Sequence, residues 1–578
     1  MSIRAKNILP LLIVLIALAI RLYPIAAKLP HTYWHDENSY IEMALRFGKG
    51  DINLITYAHG SVYQALLFFL YAALYMAERV MGTIASPADF YINYLKDPTV
   101  LFIIARAVSV SCGTLAVYLT YRISAGIYGM RAALAAGFFA ACAMLMVQMS
   151  SFALADMLSI FLLLTGFLAL ICSIEKKSES GLFFAAAFLI GLASGCKYYA
   201  VFGVAPLLVG AFIKSGHYTN RITRFLYLAA AAVVLSGSGF FIGMPFALGH
   251  FKEFYNDTFV KAVGEYIVRN PNKHTWLFYI TNHLRNGLGI PLEIVSISGV
   301  AYALFRRSKW DMLILSFPAA YYLLLMHSIS FAYHMLPAIP FILILGGRLM
   351  DDITKALSPK RSAPALACLC AIVAAPTLCD SVKYAGVLAG RDTRTEAANW
   401  VKGNIYSGER ILSEGYIATL PMHAAPIPED LATLKRDLEN VVKNKGSGFS
   451  ENIKIANFDK VFRAEKAYDI FKTYRLGKGD IDGYHGRYII LSGSNDIVTG
   501  EELSYYLEDG YYQNRTELKD RIAGDYELIK TFRPMPEFSS MFPHMVDRDY
   551  RAIRNAPLVK IKEYQSGPRI DIYKRGSK

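Results

Sequence analysis

Two acidic side chains, Asp36 and Glu37, follow directly after the first hydrophobic stretch of the chain. They lie among histidines and aromatic residues in the run from His31 to Tyr40. A carboxylate beside a membrane segment is costly, and such residues usually act on a substrate, a proton or an ion. The pair could therefore supply a general base or a metal ligand. The alternative is an acidic pair that only stabilises the first turn of the next helix.

A further carboxylate, Asp156, ends the run that begins at Ser151 and opens another apolar segment. It could belong to the same site, or it could serve only as the N-cap of the helix that follows. Two acidic positions, each at the start of a helix, form a pattern that neither position makes alone.

Three basic residues could accompany these carboxylates. Lys197 interrupts a long apolar run, where it could contact a phosphate or extend towards the membrane surface. Arg106 lies inside an apolar segment, where an arginine needs an anion or a carboxylate partner such as Asp36 or Asp156. His59 precedes the next apolar segment, with a ligand role and a structural role both open.

The composition places these residues in a membrane protein. The chain has 578 residues, of which 54% are hydrophobic, and its mean hydropathy is +0.31; this is typical of a multi-spanning protein. Its net charge of +14 does not indicate nucleic-acid binding, because many basic residues flank apolar runs. This is what the positive-inside rule predicts for the cytoplasmic ends of transmembrane helices. The seven cysteines lie in or beside apolar segments and show neither metal-site spacing nor a disulfide framework.

Apolar runs of about 20 residues, long enough to cross a bilayer, predict about eleven transmembrane helices. The run 181–213 is too long for one span, so it divides near Lys197 into two helices. The predicted spans lie near 7–27, 100–122, 131–150, 156–174, 181–213 as two helices, 223–246, 289–305, 311–327, 332–350 and 363–386.

The positive charges predict which helix ends face the cytoplasm. With the N-terminus inside, the later basic clusters fall on the cytoplasmic side only if the apolar segment 60–80 does not cross the membrane. We therefore predict that 60–80 is an interfacial helix. The outer loop 28–99, Asp156 and the tail from residue 387 then lie on the extracytoplasmic side.

Two domains follow from this topology. Residues 1–386 are predicted to form the α-helical transmembrane module, and residues 387–578 a soluble extracytoplasmic α/β domain. In the tail, short β-like runs at 488–492 and 559–564 predict strands, and they alternate with charged amphipathic stretches such as 394–402.

Several short motifs occur in an order that resembles one protein family. They are the acidic pair, His59-Gly60-Ser61, Ala105-Arg106, Ala155-Asp156, the stretch from Gly191 to Tyr198, the stretch from Tyr333 to Pro340, and Asp392-Thr-Arg394 with Ala397 and Trp400. Together they are similar to GT-C glycosyltransferases that use lipid-linked sugar donors, among them protein O-mannosyltransferases and lipid A aminoarabinose transferases. The resemblance covers roughly the first 410 residues.

The resemblance implies a GT-C-like bundle, a polyprenyl-phosphate sugar donor and an inverting single displacement on the extracytoplasmic face of the cell (inner) membrane. It implies that Asp36 deprotonates or orients the acceptor and that Lys197 lies near the donor phosphate. Where related chains often have arginine, this chain has His334. The candidate catalytic residues are Asp36, Glu37 and Asp156, and the candidate donor-phosphate residues are Lys197, Arg106 and His59.

These observations predict a membrane glycosyltransferase that transfers a hexose or pentose to a lipid, protein or glycan acceptor. A divalent cation at Asp36 and Asp156, Mg²⁺ or Mn²⁺, is left open because carboxylates suit both; no nucleic-acid partner is expected. The alternatives are a lipid or polysaccharide transporter and a non-catalytic glycan-binding protein. A transporter often has repeated halves, and no internal repeat is evident here.

Overall fold

The computed structural model describes most of the chain, in two compact units. The described residues are 3–33, 35–48, 60–176, 181–261, 275–327, 331–357, 359–415, 424–445, 466–473, 484–492, 522–535 and 552–576. The first unit comprises Met1–Ile25, Met43–Phe68 and Ile104–Ala385, and the second comprises Ala26–Glu42, Phe69–Ile103 and Gly386–Lys578.

The described part of the chain is mostly helical. In chain order the helices are α1 (Ile3–Leu22), α2 (His35–Phe47), α3 (Val62–Val80), α4 (Pro87–Lys96), α5 (Thr99–Tyr128), α6 (Met130–Cys142), α7 (Met144–Ser150), α8 (Asp156–Glu175), α9 (Gly181–Ser194), α10 (Val204–Ser215), α11 (Arg221–Gly243), α12 (Phe246–Gly249), α13 (Phe251–Tyr255), α14 (Thr275–Phe278), α15 (Arg285–Leu288), α16 (Ile290–Arg306), α17 (Lys309–Leu325), α18 (Ile339–Leu357), α19 (Ser362–Ala389), α20 (Thr393–Asn404) and α21 (Leu431–Lys445). Short 3₁₀ helices at Tyr198–Gly203, Ala332–Ala338 and Leu558–Glu563, and π-helical turns at Asn256–Val260 and Tyr279–Leu284, connect some of them.

Several of these helices are suited to cross a membrane. Among the described residues, five helical segments are long and apolar enough: α5, α8, Tyr198–Ser215, α11 and α19. The bent pair α6 and α7, which meet at 56°, would make a sixth. The chain is therefore a multi-pass membrane protein. The predicted spans fall on helical segments, but 131–150 is divided between α6 and α7, 332–350 begins as a 3₁₀ helix, and the helix at 7–27 ends at Leu22. The predicted number of eleven crossings is not confirmed, and that 60–80 does not cross stays a prediction.

In the first unit, α9 and α11 pack backbone against backbone. A Cβ atom on Gly191 would lie 2.0 Å from the Ser236 carbonyl oxygen, and one on Gly239 would lie 2.2 Å from that of Phe188. The Ser236 hydroxyl also donates to the Ala187 carbonyl at 3.0 Å. Small residues allow apolar helices to approach closely enough for dispersion forces and interhelical hydrogen bonds. This contact fixes α9 against α11. The helix break that begins after Ser194 is therefore fixed as well.

Charged side chains at helix ends of the first unit are paired within the protein. Asp311 in α17 is fully buried; it forms an ion pair with Arg348 and accepts a 2.7 Å hydrogen bond from Tyr128. Arg131 pairs with Asp351 at 2.9 Å. Basic residues that the topology rule assigns to the cytoplasmic side therefore also connect neighbouring helices.

Two fully buried cations cap helix C-termini. The Lys214 ammonium donates to the carbonyls of Ser173 and Lys176, at 2.6 and 2.9 Å, in the last turn of α8. The Arg21 guanidinium donates to two carbonyls in the last turn of α6 and to the Ser150 hydroxyl. These carbonyls have no intrahelical partner and carry the negative end of the helix dipole, so they satisfy a buried cation.

The second unit contains a mixed β-sheet. Its strands are β1 (Arg391–Asp392), β2 (Arg410–Glu414), β3 (Asp469–Thr473), β4 (Tyr488–Ser492), β5 (Tyr526–Phe532), β6 (Gln565–Ser566) and β7 (Ile570–Arg575). Five form one sheet in the order β3-β2-β4-β7-β5, with β2 parallel to β3 and β4, and β7 antiparallel to β4 and β5. The apolar face of α20, including Ala397 and Val401, packs against Ile490 and Ile572 of this sheet.

The strand predictions in the tail have different outcomes. The strand predicted at 488–492 is β4, and all five of its residues are buried. The strand predicted at 559–564 is wrong, because the chain forms a 3₁₀ helix there. Leu558 and Val559 are 44% and 92% exposed. None of the residues of this 3₁₀ helix is buried, and within the predicted run only Tyr564, which follows the helix, is buried.

We expect Gly239→Ala to destabilise the protein by about 1–3 kcal/mol, because the added methyl group overpacks the contact between α9 and α11. The matched control is Gly237→Ala on the same helix, where a Cβ atom meets no other atom within 4 Å. Thermal unfolding of the detergent-solubilised protein measures both variants. Equal effects of the two substitutions would contradict the glycine contact.

Candidate active site

Asp156 stands where one helix stops and the next begins. Residues 151–155 form an irregular link between α7 and α8, and Asp156 is the first residue of α8. The N-cap position belongs to Ala155, and no side chain caps the helix. The alternative of Asp156 as an N-cap residue is therefore wrong. Its carboxylate is buried, with 3% of the residue exposed.

Lys197 lies in a second helix break, as the sequence predicted. Helix α9 ends at Ser194, and Lys197 takes an extended conformation (φ −145°, ψ 128°) before the 3₁₀ turn Tyr198–Gly203. The two breaks are adjacent, since the Cys196 thiol donates to the Ala155 carbonyl at 3.3 Å. Residues on two different helices are thereby brought to one place.

Lys197 and Asp156 form a buried ion pair. The lysine Nζ lies 3.4 Å from the aspartate Oδ2, and the two side chains are 16% and 5% exposed. The Lys197 ammonium is therefore directed at a carboxylate of another helix. Two charges in apolar surroundings are tolerated when they are paired, and removing either one leaves the other uncompensated. A phosphate contact by Lys197 stays a prediction.

Three tyrosines form a chain of ring contacts and hydrogen bonds that leads from Asp156 to His334. The Tyr199 hydroxyl donates to the Asp156 carbonyl at 3.2 Å, and the Tyr199 ring contacts the Tyr321 ring, with centroids 6.0 Å apart. The Tyr321 hydroxyl donates to the His334 carbonyl at 2.9 Å, and the Tyr279 hydroxyl shares a 2.9 Å hydrogen bond with His334 Nδ1. The sequence motifs include His334, but Tyr279 and Tyr321 lie in apolar segments with no motif to reveal them.

Glycines allow the backbone before Lys197 to pack closely on two neighbouring backbone segments. A Cβ atom on Gly60 would lie 1.9 Å from the Gly195 carbonyl oxygen, and one on Gly195 would lie 2.9 Å from the Gly243 Cα. The Ser61 hydroxyl donates to the Gly243 carbonyl at 2.7 Å. The motif position Gly60 therefore contacts the break that carries Lys197, and Ser61 binds the end of α11, against which Gly195 packs. His59 lies outside the described residues.

Arg106 is buried two turns into the apolar helix α5, with 3% of the residue exposed. Its Nη1 donates to the Ile25 carbonyl at 3.1 Å, and the neighbouring Ala105 carbonyl accepts the Tyr63 hydroxyl at 2.9 Å. A backbone carbonyl thus satisfies part of the guanidinium. Its predicted role in binding the donor phosphate stays a prediction.

Asp36 and Glu37 belong to the second unit and occupy the first turn of α2. Glu37 is almost fully buried, with 1% exposed, and lies within electrostatic reach of Tyr71. Asp36 is only partly buried. Both carboxylates can stabilise the helix through its dipole, but only Asp36 retains appreciable access to solvent.

Within the described residues, no group of three or more histidine, cysteine, aspartate or glutamate side chains is arranged to hold a metal ion. The arrangement in the first unit is instead a single carboxylate bound to a single cation, with tyrosine hydroxyls around them. Such a pair can hold a cation in place for an anionic group.

Residues 101–238 match the family described as dolichyl-phosphate-mannose-protein mannosyltransferase. The matched region includes Arg106, Asp156 and Lys197. It confirms the family resemblance over the residues that it covers. Asp36 and Glu37 precede the matched region.

Solved structures offer weaker similarity. With the archaeal oligosaccharyltransferase AglB from Archaeoglobus fulgidus, in complex with an inhibitory peptide and a dolichol-phosphate, the identity is 12% and the TM-score 0.47, over 99% of this chain and 89% of that chain. With ArnT from Cupriavidus metallidurans, bound to undecaprenyl phosphate, the identity is 12% and the TM-score 0.49, over 86% and 95%. These similarities assign neither residue roles nor substrates. No curated protein sequence matches the chain.

We expect Asp156→Asn and Lys197→Met each to destabilise the protein by about 3–5 kcal/mol, because each leaves one buried charge uncompensated. The double variant should lose less than the sum of the two, since it removes both charges. Unfolding free energies of the four proteins in a double-mutant cycle measure the coupling. Strictly additive losses would show that the two charges at 3.4 Å contribute no coupling free energy to stability.

Proposed function

We propose that this chain, whose residues 101–238 match the mannosyltransferase family, is a membrane glycosyltransferase that moves a sugar from a polyprenyl phosphate to an extracytoplasmic acceptor. The buried pair of Asp156 and Lys197 carries the proposal. The pair lies inside the matched region and at two adjacent helix breaks. A cation held there suits the phosphate of a lipid-linked donor. The matched family takes its sugar from a dolichyl phosphate, as its description states, which supports the same class of donor here.

The leaving group of such a donor is an anionic phosphate that needs charge stabilisation more than a proton. Preorganised cations in a water-poor site supply this stabilisation as the bond to the sugar breaks. Lys197 is proposed to contact the phosphate, with Asp156 holding its ammonium in position. Arg106 is proposed as a second contact, and His59 as a third.

The acceptor hydroxyl or amine must lose its proton as it attacks. In the proposed step the acceptor forms a bond to the anomeric carbon, the bond from that carbon to the phosphate oxygen breaks, and the configuration inverts. The proton passes to Asp36, and polyprenyl phosphate leaves. Asp36 suits this role better than Glu37, because Glu37 is almost fully buried. We propose that Glu37 keeps the first turn of α2 in place.

The proposed reaction takes place on the extracytoplasmic face of the cell (inner) membrane, as the positive-inside rule predicts. There the acceptor, a lipid, protein or glycan, would meet the donor. A transporter or a glycan-binding protein with this scaffold would need neither a base nor a retained phosphate contact.

We expect Asp36→Asn to reduce sugar transfer by about 10²–10⁴-fold, because the amide cannot accept the acceptor proton. Asp36→Glu should retain part of the activity. The assay uses a strain without its own copy of the gene, complemented with each variant. Mass spectrometry of envelope lipids, proteins and glycans then detects the added sugar, and immunoblotting gives the amount of protein.

The matched control is Asp89→Asn. Asp89 is also a first-turn carboxylate of a helix in the second unit, and it accepts capping hydrogen bonds from Ala85 and Ser86. If Asp36 acted only on the helix dipole, the two variants would lose similar stability and keep transfer. Normal transfer by folded Asp36→Asn would overturn the proposed base.

A further inference from the structure

The segment that precedes α2 is fastened to the C-terminal end of α19. The Lys28 ammonium donates to the Gly390 carbonyl at 2.8 Å and approaches those of Val387 and Arg391 at 3.4 Å. Its side chain is only 9% exposed. The last carbonyls of a helix lack intrahelical partners and carry the negative end of the helix dipole. Lys28 therefore caps α19 as a buried cation.

A second contact fastens the other end of this segment to the start of α20. The Arg394 guanidinium carbon lies 3.5 Å from the centre of the Tyr33 ring, and the Tyr33 hydroxyl shares a 2.8 Å hydrogen bond with the Thr395 hydroxyl. Tyr33 and Arg394 are 9% and 3% exposed. A planar guanidinium stacked on a tyrosine ring fixes both the position and the tilt of the ring.

Asp392 holds Arg394 in this orientation. Its two carboxylate oxygens each accept a 2.8 Å hydrogen bond from the guanidinium, one from Nε and one from Nη2. The same carboxylate accepts the Arg394 backbone N–H as the N-cap of α20, and the Ser566 hydroxyl at 2.9 Å. A bidentate pair with every oxygen satisfied has one geometry.

The Asp392 carboxyl remains ionised throughout the ordinary pH range. Burial alone would raise the pKa of this carboxyl, but Arg394 and Lys28 outweigh burial and hold the pKa well below its usual range. The stability that the pair contributes is therefore fully present above the unfolded pKa of an aspartate, about 3.9. It is lost only as the pH falls through the much lower folded value.

We propose that Arg394 is a positioning residue for Asp36, and this inference rests on the proposed function. Tyr33 precedes Asp36 by three residues, which at full extension span no more than about 10 Å. A fixed Tyr33 therefore restricts where α2 can begin. In this proposal Arg394 acts on Asp36 through Tyr33. The junction of α19 and α20 thus helps to set the geometry of the proposed base.

Arg394→Lys keeps a positive charge beside Asp392 but loses the bidentate contact and the stacking on Tyr33. We expect kcat for sugar transfer to fall by about 10²-fold, with little change in KM for the donor, because a misplaced base impairs the chemical step more than binding. Tyr33→Leu leaves the pair of Asp392 and Arg394 intact and should have the same effect. It keeps the inference testable if Arg394→Lys folds poorly.

The matched control is Arg391→Lys. Arg391 lies in the same junction, is exposed, and pairs with Glu396 at 2.9 Å on the surface. We expect this variant to keep wild-type kcat and KM. Loss of turnover in Arg391→Lys equal to that in Arg394→Lys would overturn the specific role of Arg394.

A spin label on α2 gives a readout that does not depend on sugar transfer. The label is placed at Ser39→Cys, an exposed position, in a protein whose exposed Cys368 and Cys379 are replaced by serine. Electron paramagnetic resonance should show greater label mobility with Arg394→Lys or Tyr33→Leu, and unchanged mobility with Arg391→Lys. Unchanged mobility in the first two variants would overturn the inference.

The outcomes separate this inference from the proposed function. Increased mobility with normal kcat in correctly folded Arg394→Lys would overturn positioning and leave the transferase intact. Normal transfer in Asp36→Asn would overturn the proposed base, whatever the label shows. Increased mobility together with reduced kcat supports both.

Discussion

The first unit depends on one close contact between three backbone segments, at Gly60, Gly195 and Gly243. A Cβ atom on Gly60 or Gly195 would overlap neighbouring backbone, so the three segments meet at a distance that only glycine permits. Lys197, which lies between α9 and the 3₁₀ helix that follows, is extended there, and its side chain reaches Asp156. The glycine contacts between α9 and α11 support the same break from the other side. Backbone packing, more than any side-chain preference, places the candidate cation.

Three buried carboxylates in this protein are held in ion pairs, and the surroundings of these pairs differ. Asp156 pairs with Lys197 and Asp311 with Arg348, whereas Asp392 pairs with Arg394 and also lies 4.0 Å from the Lys28 ammonium. The pairs of Asp311 and Asp392 involve arginine, and each carboxylate also accepts a hydroxyl or backbone donor. The pair of Asp156 uses lysine, whose ammonium is a compact charge on a flexible stem. A lysine can change partner with little rearrangement, which suits the phosphate contact proposed for Lys197.

Asp36 and Glu37 are adjacent acids in α2, but they differ in burial and therefore in their proposed roles. Glu37 is almost fully buried, whereas Asp36 keeps partial access to solvent. The segment that precedes them is fastened at both ends by Lys28 and Tyr33. Positioning of the proposed base and of the proposed phosphate contact thus uses the same physical means: a buried cation that satisfies carbonyls or a carboxylate.

The sequence alone determined where the apolar helices lie, that the run 181–213 divides near Lys197, and that 488–492 is a strand, because hydrophobic runs and alternation are local patterns. It also named Asp156 and Lys197 as separate candidates. Only the tertiary structure decided that these two are partners, that Gly60 packs on the break, and that Arg394 stacks on Tyr33. Contacts between distant segments leave no periodic trace in the sequence. The failed strand at 559–564 has the same cause, since whether an alternating face is buried depends on what the rest of the fold brings against it.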